Sequence, residues 1–101
     1  MTDWERRQLL RARTRARVEE VGALAARVGG ITEAELRSGG RRRSIVEARE
    51  ALAQVAINEL GHTGAAVARY LGVAPSTVNR RAVSGTSSFL AKALLEALSG
   101  P

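Results

Sequence analysis

The sequence predicts an all-α protein of about six helices, and three observations predict it. Helix starts recur: Thr2 with Glu5, Thr32 with Glu35 and Ser44 with Glu47 each have the spacing of a capping box. In that motif the hydroxyl accepts from a backbone N–H left orphaned at the helix start, and the Glu reaches back. Behind these starts the apolar residues recur at helical spacing, and no stretch alternates as a strand would. Glycines then stand where helices should stop, at Gly29 and Gly30, Gly39 and Gly40, Gly61 and Gly72.

Taken in order, the first helix starts near Asp3 and is expected to run over 3–28. Its second half carries Val18, Val21, Leu24, Ala25 and Val28 on one buried stripe. Its first half differs, because Arg6, Arg7, Arg11, Arg13, Arg15 and Arg17 are spread round the helix with only Trp4, Leu9 and Leu10 as sizeable apolar groups. Residues 1–17 therefore read as a basic helical extension, and residues 18–101 as the domain proper. Three roles fit the extension: an arm lying on phosphates, a homodimer contact through Trp4 and the leucines, or a solvated helix. In the last case pairs such as Arg15 with Glu19 help by about 0.2–0.5 kcal/mol each.

A short helix follows the Thr32 cap, with Ile31 and Leu36 as a hydrophobic staple. The Ser44 cap opens a helix over 45–60, whose wide apolar face of Ala48, Leu52, Val55, Ala56 and Leu60 marks the central core helix. Arg49, flanked by Ala48 and Leu52, is expected to be partly buried. Thr63 caps the next helix. A polar turn over 84–87 leads to a last helix capped by Ser87 or Ser88, with Phe89, Leu90, Ala93, Leu94 and Leu98 on its apolar side.

Residues 63–83, TGAAVARYLGVAPSTVNRRAV, carry the most specific pattern: two short helices joined by a tight turn, a helix-turn-helix. Counted from Gly64, the fifth position must be small so that the helices can approach, and is Ala68. The ninth, inside the turn, is Gly72, and the apolar fourth, eighth, tenth and fifteenth are Val67, Leu71, Val73 and Val78. Arg81 stands at the eighteenth, where an apolar residue is usual, so the helix end is expected to roll and bury Ala82. Pro75 suits a first helical position, since its missing N–H costs nothing there and its φ is preset. Ser76, Thr77, Asn79 and Arg80 then face outward, groups able to reach base edges and phosphates.

Charge agrees with an anionic partner. The chain has 16 basic and 10 acidic residues, a formal charge of +6. No acid lies between Glu59 and Glu96, where Arg69, Arg80, Arg81 and Lys92 fall, and Arg37, Arg41, Arg42 and Arg43 form a second acid-free run. Two such segments are the electrostatic footprint of nucleic-acid binding. With no cysteine, neither disulfides nor thiolate metal sites are available. No apolar run of membrane-spanning length or signal-peptide core occurs, so a cytoplasmic protein is expected. The single histidine, His62, stands at an expected helix end and is read as a capping or surface group. No phosphate-cradling motif is present. No enzyme activity, metal or cofactor is expected.

The series ITEAELRSGGRRRSIVEAREALAQVAINELGHTGAAVARYLGVAPSTVNRRA resembles the C-terminal DNA-binding domain of the chromosomal replication initiator DnaA. It is also similar to the C-terminal tail of tyrosine transposases of repetitive palindromic elements and, more distantly, to the Trp-repressor fold. The resemblance covers about 18–98. Its most specific points are Arg41 to Arg43, the Ala48–Arg49 pair and the Ser76–Thr77–Val78 run. It implies that the basic loop touches phosphates and the minor groove through Arg41 and Arg43, while the recognition helix reads the major groove through Ser76 and Thr77. Ala74 and Pro75 replace the acidic residue and histidine that the initiator carries before this run, and the turn is shorter. The chain is expected to be the DNA-binding part standing alone, without an ATPase or nuclease domain.

The expected function is sequence-specific binding of double-stranded DNA, in transposition or transcriptional regulation, through Arg41, Arg42, Arg43, Ser76, Thr77, Asn79 and Arg80. The alternative is a helix-turn-helix protein-interaction module, an antitoxin or assembly adaptor, that turns the same surface on an acidic partner.

Overall fold

The computed structural model of the protein describes residues 16–38, 40–83 and 89–99, together with Thr2 and Glu5. Over these residues the protein is all-α, with six helices and no strand. They are α1 (Val18–Gly29), α2 (Glu33–Leu36), α3 (Arg43–Ala53, continued by a π-helical segment Gln54–Glu59), α4 (Gly64–Leu71), α5 (Pro75–Val83) and α6 (Phe89–Ser99). Trp4, Leu9, Leu10, the arginines of 6–15 and the 84–88 turn with its serine caps lie outside the described residues.

Local chemistry sets most of the boundaries. Thr2 accepts from the Glu5 N–H at 3.2 Å. Thr32 makes a full capping box: its hydroxyl accepts from the Glu35 N–H at 3.1 Å, and the Glu35 carboxylate accepts from the Thr32 N–H at 3.0 Å. Thr63 caps α4 by accepting from the Ala66 N–H. Pro75 is the first residue of α5, as its fixed φ favours. Gly72 ends α4 in the left-handed region at φ 74°, and the N–H groups of Gly72 and Val73 both return to the Ala68 carbonyl.

Four expectations fail, each for a physical reason. The helix over 3–28 is not continuous: Arg17 is extended and α1 begins at Val18, because the Ala16 carbonyl accepts a 2.7 Å hydrogen bond from His62 Nε2 instead of serving a helix. His62 is thus a half-buried tether 46 residues away in sequence and not a cap or surface group. Ser44 does not cap the central helix. Extended Arg42 is its N-cap residue without a side-chain cap, and Glu47 instead accepts from Arg43 Nε at 2.9 Å. The central helix does hold over its expected length, but from Gln54 onward it is π-helical, with the Leu60 N–H donating to the Val55 carbonyl five residues back. Finally Phe89, expected in the core, is 86 % exposed at the first residue of α6.

The core lies where α1, α3 and α6 pack together, with α5 on α3 and α4 across α5. Val21, Leu36, Leu52, Val55, Val67, Val78 and Leu94 are its fully buried larger side chains, and alanines fill much of the remainder, so the helices approach closely. Gly22 shows how closely: a Cβ there would stand 2.3 Å from Tyr70 Oη, so only glycine lets the ring of α4 lie on α1. No helix among the described residues is long and apolar enough to cross a membrane.

Candidate nucleic-acid interface

Helix α5 is two-sided because of its register. Val78 and Ala82, one turn apart, are 1 % and 4 % exposed and fix its inner face. The burial of Ala82 is what the roll at the helix end requires. Ser76, Asn79 and Arg80 are exposed on the other side, and Thr77 is half-buried between the two faces. The Ala74 carbonyl starts the helix by accepting from the Thr77 N–H at 3.0 Å.

Asn79 has a more particular setting. A Cβ on Gly64 would stand 2.1 Å from its Oδ1, so the amide occupies space that exists only because α4 begins with glycine. It sits where α5 meets the start of α4, which leaves Ser76 and Arg80, at i and i+4, as the freely outward pair. At the far end of the helix, Asn58 of the π-helical segment donates to the Ala82 carbonyl at 3.0 Å. Helix α5 is thereby held on its inner face and at its end, while its outer polar groups remain open.

The basic loop, 37–42, is held from within. Arg37 Nε donates to the Tyr70 carbonyl at 2.9 Å, and its guanidinium lies over the Tyr70 ring, 4.9 Å from the centroid. That bond ties the start of the loop to the last turn of α4, next to the turn that leads into α5. From below, buried Arg49 on α3 donates through Nε to the Leu36 carbonyl at 2.9 Å and through Nη1 to the Gly40 carbonyl at 3.1 Å. The expected partial burial of Arg49 is therefore realised, with both acceptors beside the loop.

The three arginines singled out in sequence differ in their surroundings. Arg41 is exposed and makes no ion pair among the described residues. Arg42 pairs with Glu35, and Arg43, the first residue of α3 and not part of the loop, pairs with Glu47. Their side chains are 65 % and 93 % exposed. Pairs so open to water are worth about 0–1 kcal/mol, so a competing anion can exchange with the carboxylates at little cost.

Tyr70 completes the anchor. Its hydroxyl donates to Glu33 Oε1 at 3.0 Å, joining α2 to α4. Burial, followed by the hydrogen bond to Glu33 and that carboxylate's charge, pushes its pKa from 10 up to about 12. The folded protein thus binds the phenolic proton more tightly than the unfolded chain. The resulting stability is fully present below pH 10 and is lost as pH rises through 10 to 12. Tyr70 is the only tyrosine, so tyrosinate absorbance reports it alone. A native titration should have its midpoint near 12, and Tyr70→Phe should flatten the alkaline fall in stability. A midpoint at the ordinary value of 10 would contradict the buried hydrogen bond.

Of the α5 residues expected to face outward, Ser76, Asn79 and Arg80 do and Thr77 does so only in part. Sequence reasoning missed the inward work of Arg37, the Tyr70–Glu33 bond and the seat of Asn79 on Gly64. A signal existed only for the last: Thr63 already supplies the cap, so a glycine at the next position serves no capping purpose and marks a close approach. No group of three or more potential metal ligands occurs among the described residues. No family model, curated protein or solved structure matches the chain.

Proposed function

We propose that this protein binds double-stranded DNA sequence-specifically, with α4 and α5 acting as a helix-turn-helix, α5 entering the major groove and Arg41, Arg42 and Arg43 holding phosphates. The observation that carries the reading is the two-sidedness of α5, whose inner face is buried through Val78 and Ala82 while Ser76 and Arg80 stand exposed. A recognition helix needs both properties: a rigid seat and short polar or guanidinium groups that can meet base edges. Charge supports it, since the sequence from Leu60 to Leu95 contains no acid to repel a phosphate backbone. The start of α3 also favours an anion, as it lacks a side-chain cap and has Arg41, Arg42 and Arg43 around it. The resemblance to the replication initiator's DNA-binding module points to the same two elements. A DNA-binding, non-enzymatic role in transposition or transcriptional regulation follows from this reading.

Selection of bound duplexes from a random pool tests it. The protein should enrich one short motif, and Ser76→Ala with Arg80→Ala should flatten that preference, each base no longer read removing about 1–3 kcal/mol of discrimination. Enrichment of no motif, alongside tight binding of an acidic protein partner, would replace the reading by the protein-interaction alternative.

A further inference from the structure

We infer that Arg49 is a positioning residue for the basic loop: from its buried place on α3 it holds the Leu36 and Gly40 carbonyls, and so fixes how Arg41 and Arg42 are presented. This rests on the DNA-binding reading for its functional consequence, though not for its structural one. Arg49 is only 8 % exposed, so it is not itself available to a phosphate. Its two donors reach opposite ends of one short segment, Nε to the Leu36 carbonyl that ends α2 and Nη1 to the Gly40 carbonyl just before Arg41. A guanidinium suits this task because its N–H groups are fixed in one plane and bond two acceptors at set directions. A lysine keeps the charge but is a point donor on a flexible stem, and cannot reproduce that planar fork. Between the two carbonyls the chain has Arg37 tied to Tyr70 and Ser38 folded back on the Glu35 carbonyl at 2.6 Å. Gly40 is packed closely too, since a Cβ there would stand 2.8 Å from Ile45 Cδ1. Leu36, Arg37, Ser38 and Gly40 are therefore each tethered before any ligand arrives, which lowers the ordering cost of binding.

The test uses Arg49→Lys and Arg49→Met in the full chain, with helical circular dichroism to establish folding. Trypsin cuts after arginine, so cleavage after Arg41 and Arg42, located by mass spectrometry, reads the loop without any DNA. The Lys variant should be cut there about tenfold faster than the unaltered protein, at a temperature where both are fully helical. On duplex DNA it should bind more weakly, with the slope of log K against log[salt] reduced by about 0.9 for each phosphate no longer neutralised. In a background of Arg41→Ala with Arg42→Ala, the same substitution should add no further loss, because the groups it positions are gone. Unchanged cleavage overturns the inference whatever DNA does. An equal loss of affinity in both backgrounds overturns it as well, since Arg49 would then act through something other than the loop. Global unfolding of both variants would assign Arg49 to the core and likewise overturn it. If the unaltered protein binds no duplex, the DNA-binding reading fails while accelerated cleavage still upholds the positioning role.

Discussion

Arg41→Ala, Arg42→Ala and Arg43→Ala combined should weaken binding to every duplex, specific and non-specific alike, and lower the slope of log K against log[salt] by up to about 2.7, at about 0.9 per phosphate. The effect should be large because phosphate contacts supply most of the sequence-independent affinity. Folding should hardly change. The two ion pairs removed, Arg42 with Glu35 and Arg43 with Glu47, are exposed and contribute about 0–1 kcal/mol each. The Arg43–Glu47 pair also has the less favourable order on a helix, with the cation N-terminal to the anion. Affinity titrations on two unrelated duplexes at three salt concentrations, with a thermal melt of the free protein, check both halves. A loss confined to one duplex would mean that these arginines read bases and do not simply hold phosphates.

Leu52→Ala should be the most damaging single change to the fold. Leu52 is fully buried on α3, the helix against which α1, α5 and α6 all pack. Removing its side chain costs about 2–5 kcal/mol, transfer and cavity together. For a domain of this size each kcal/mol lowers the melting temperature by about 4–8 °C. Phe89→Ala gives the contrast: at 86 % exposure it should change stability by no more than about 0.5 kcal/mol. Comparable melting losses for the two would place Phe89 back in the core, where its residue type suggested it.

That contrast shows what the sequence could and could not reveal. Features set within a few residues were legible, as with the Thr32 and Thr63 caps, the Gly72 turn, the Pro75 start and the inward Val67, Leu71 and Val78. Each depends on hydrogen bonds or side-chain spacing within a turn or two. The failures mostly depend on partners that a local pattern does not weigh. Nothing near Ala16 breaks a helix; the break comes with His62, far along the chain. Ser44 and Glu47 have good capping chemistry, but a competing partner, Arg43, takes the carboxylate. Helical period gave Phe89 a core-facing place beside Leu90, yet a first-turn residue can lie beyond the edge of the packed surface. Within the candidate site the outward groups were legible from their chemistry. Their supports were not, because Arg37, Arg49 and Gly64 act through backbone groups or space on other helices.

The central claim is that α5 discriminates among duplexes while the arginines bind them all. The most direct measurement is the affinity for a selected duplex and for its scrambled counterpart across a range of salt. Both affinities should fall steeply and linearly on logarithmic axes, and the selected duplex should bind tighter by about 10³ or more. Equal affinities at every salt concentration, or no dependence on salt, would contradict that claim.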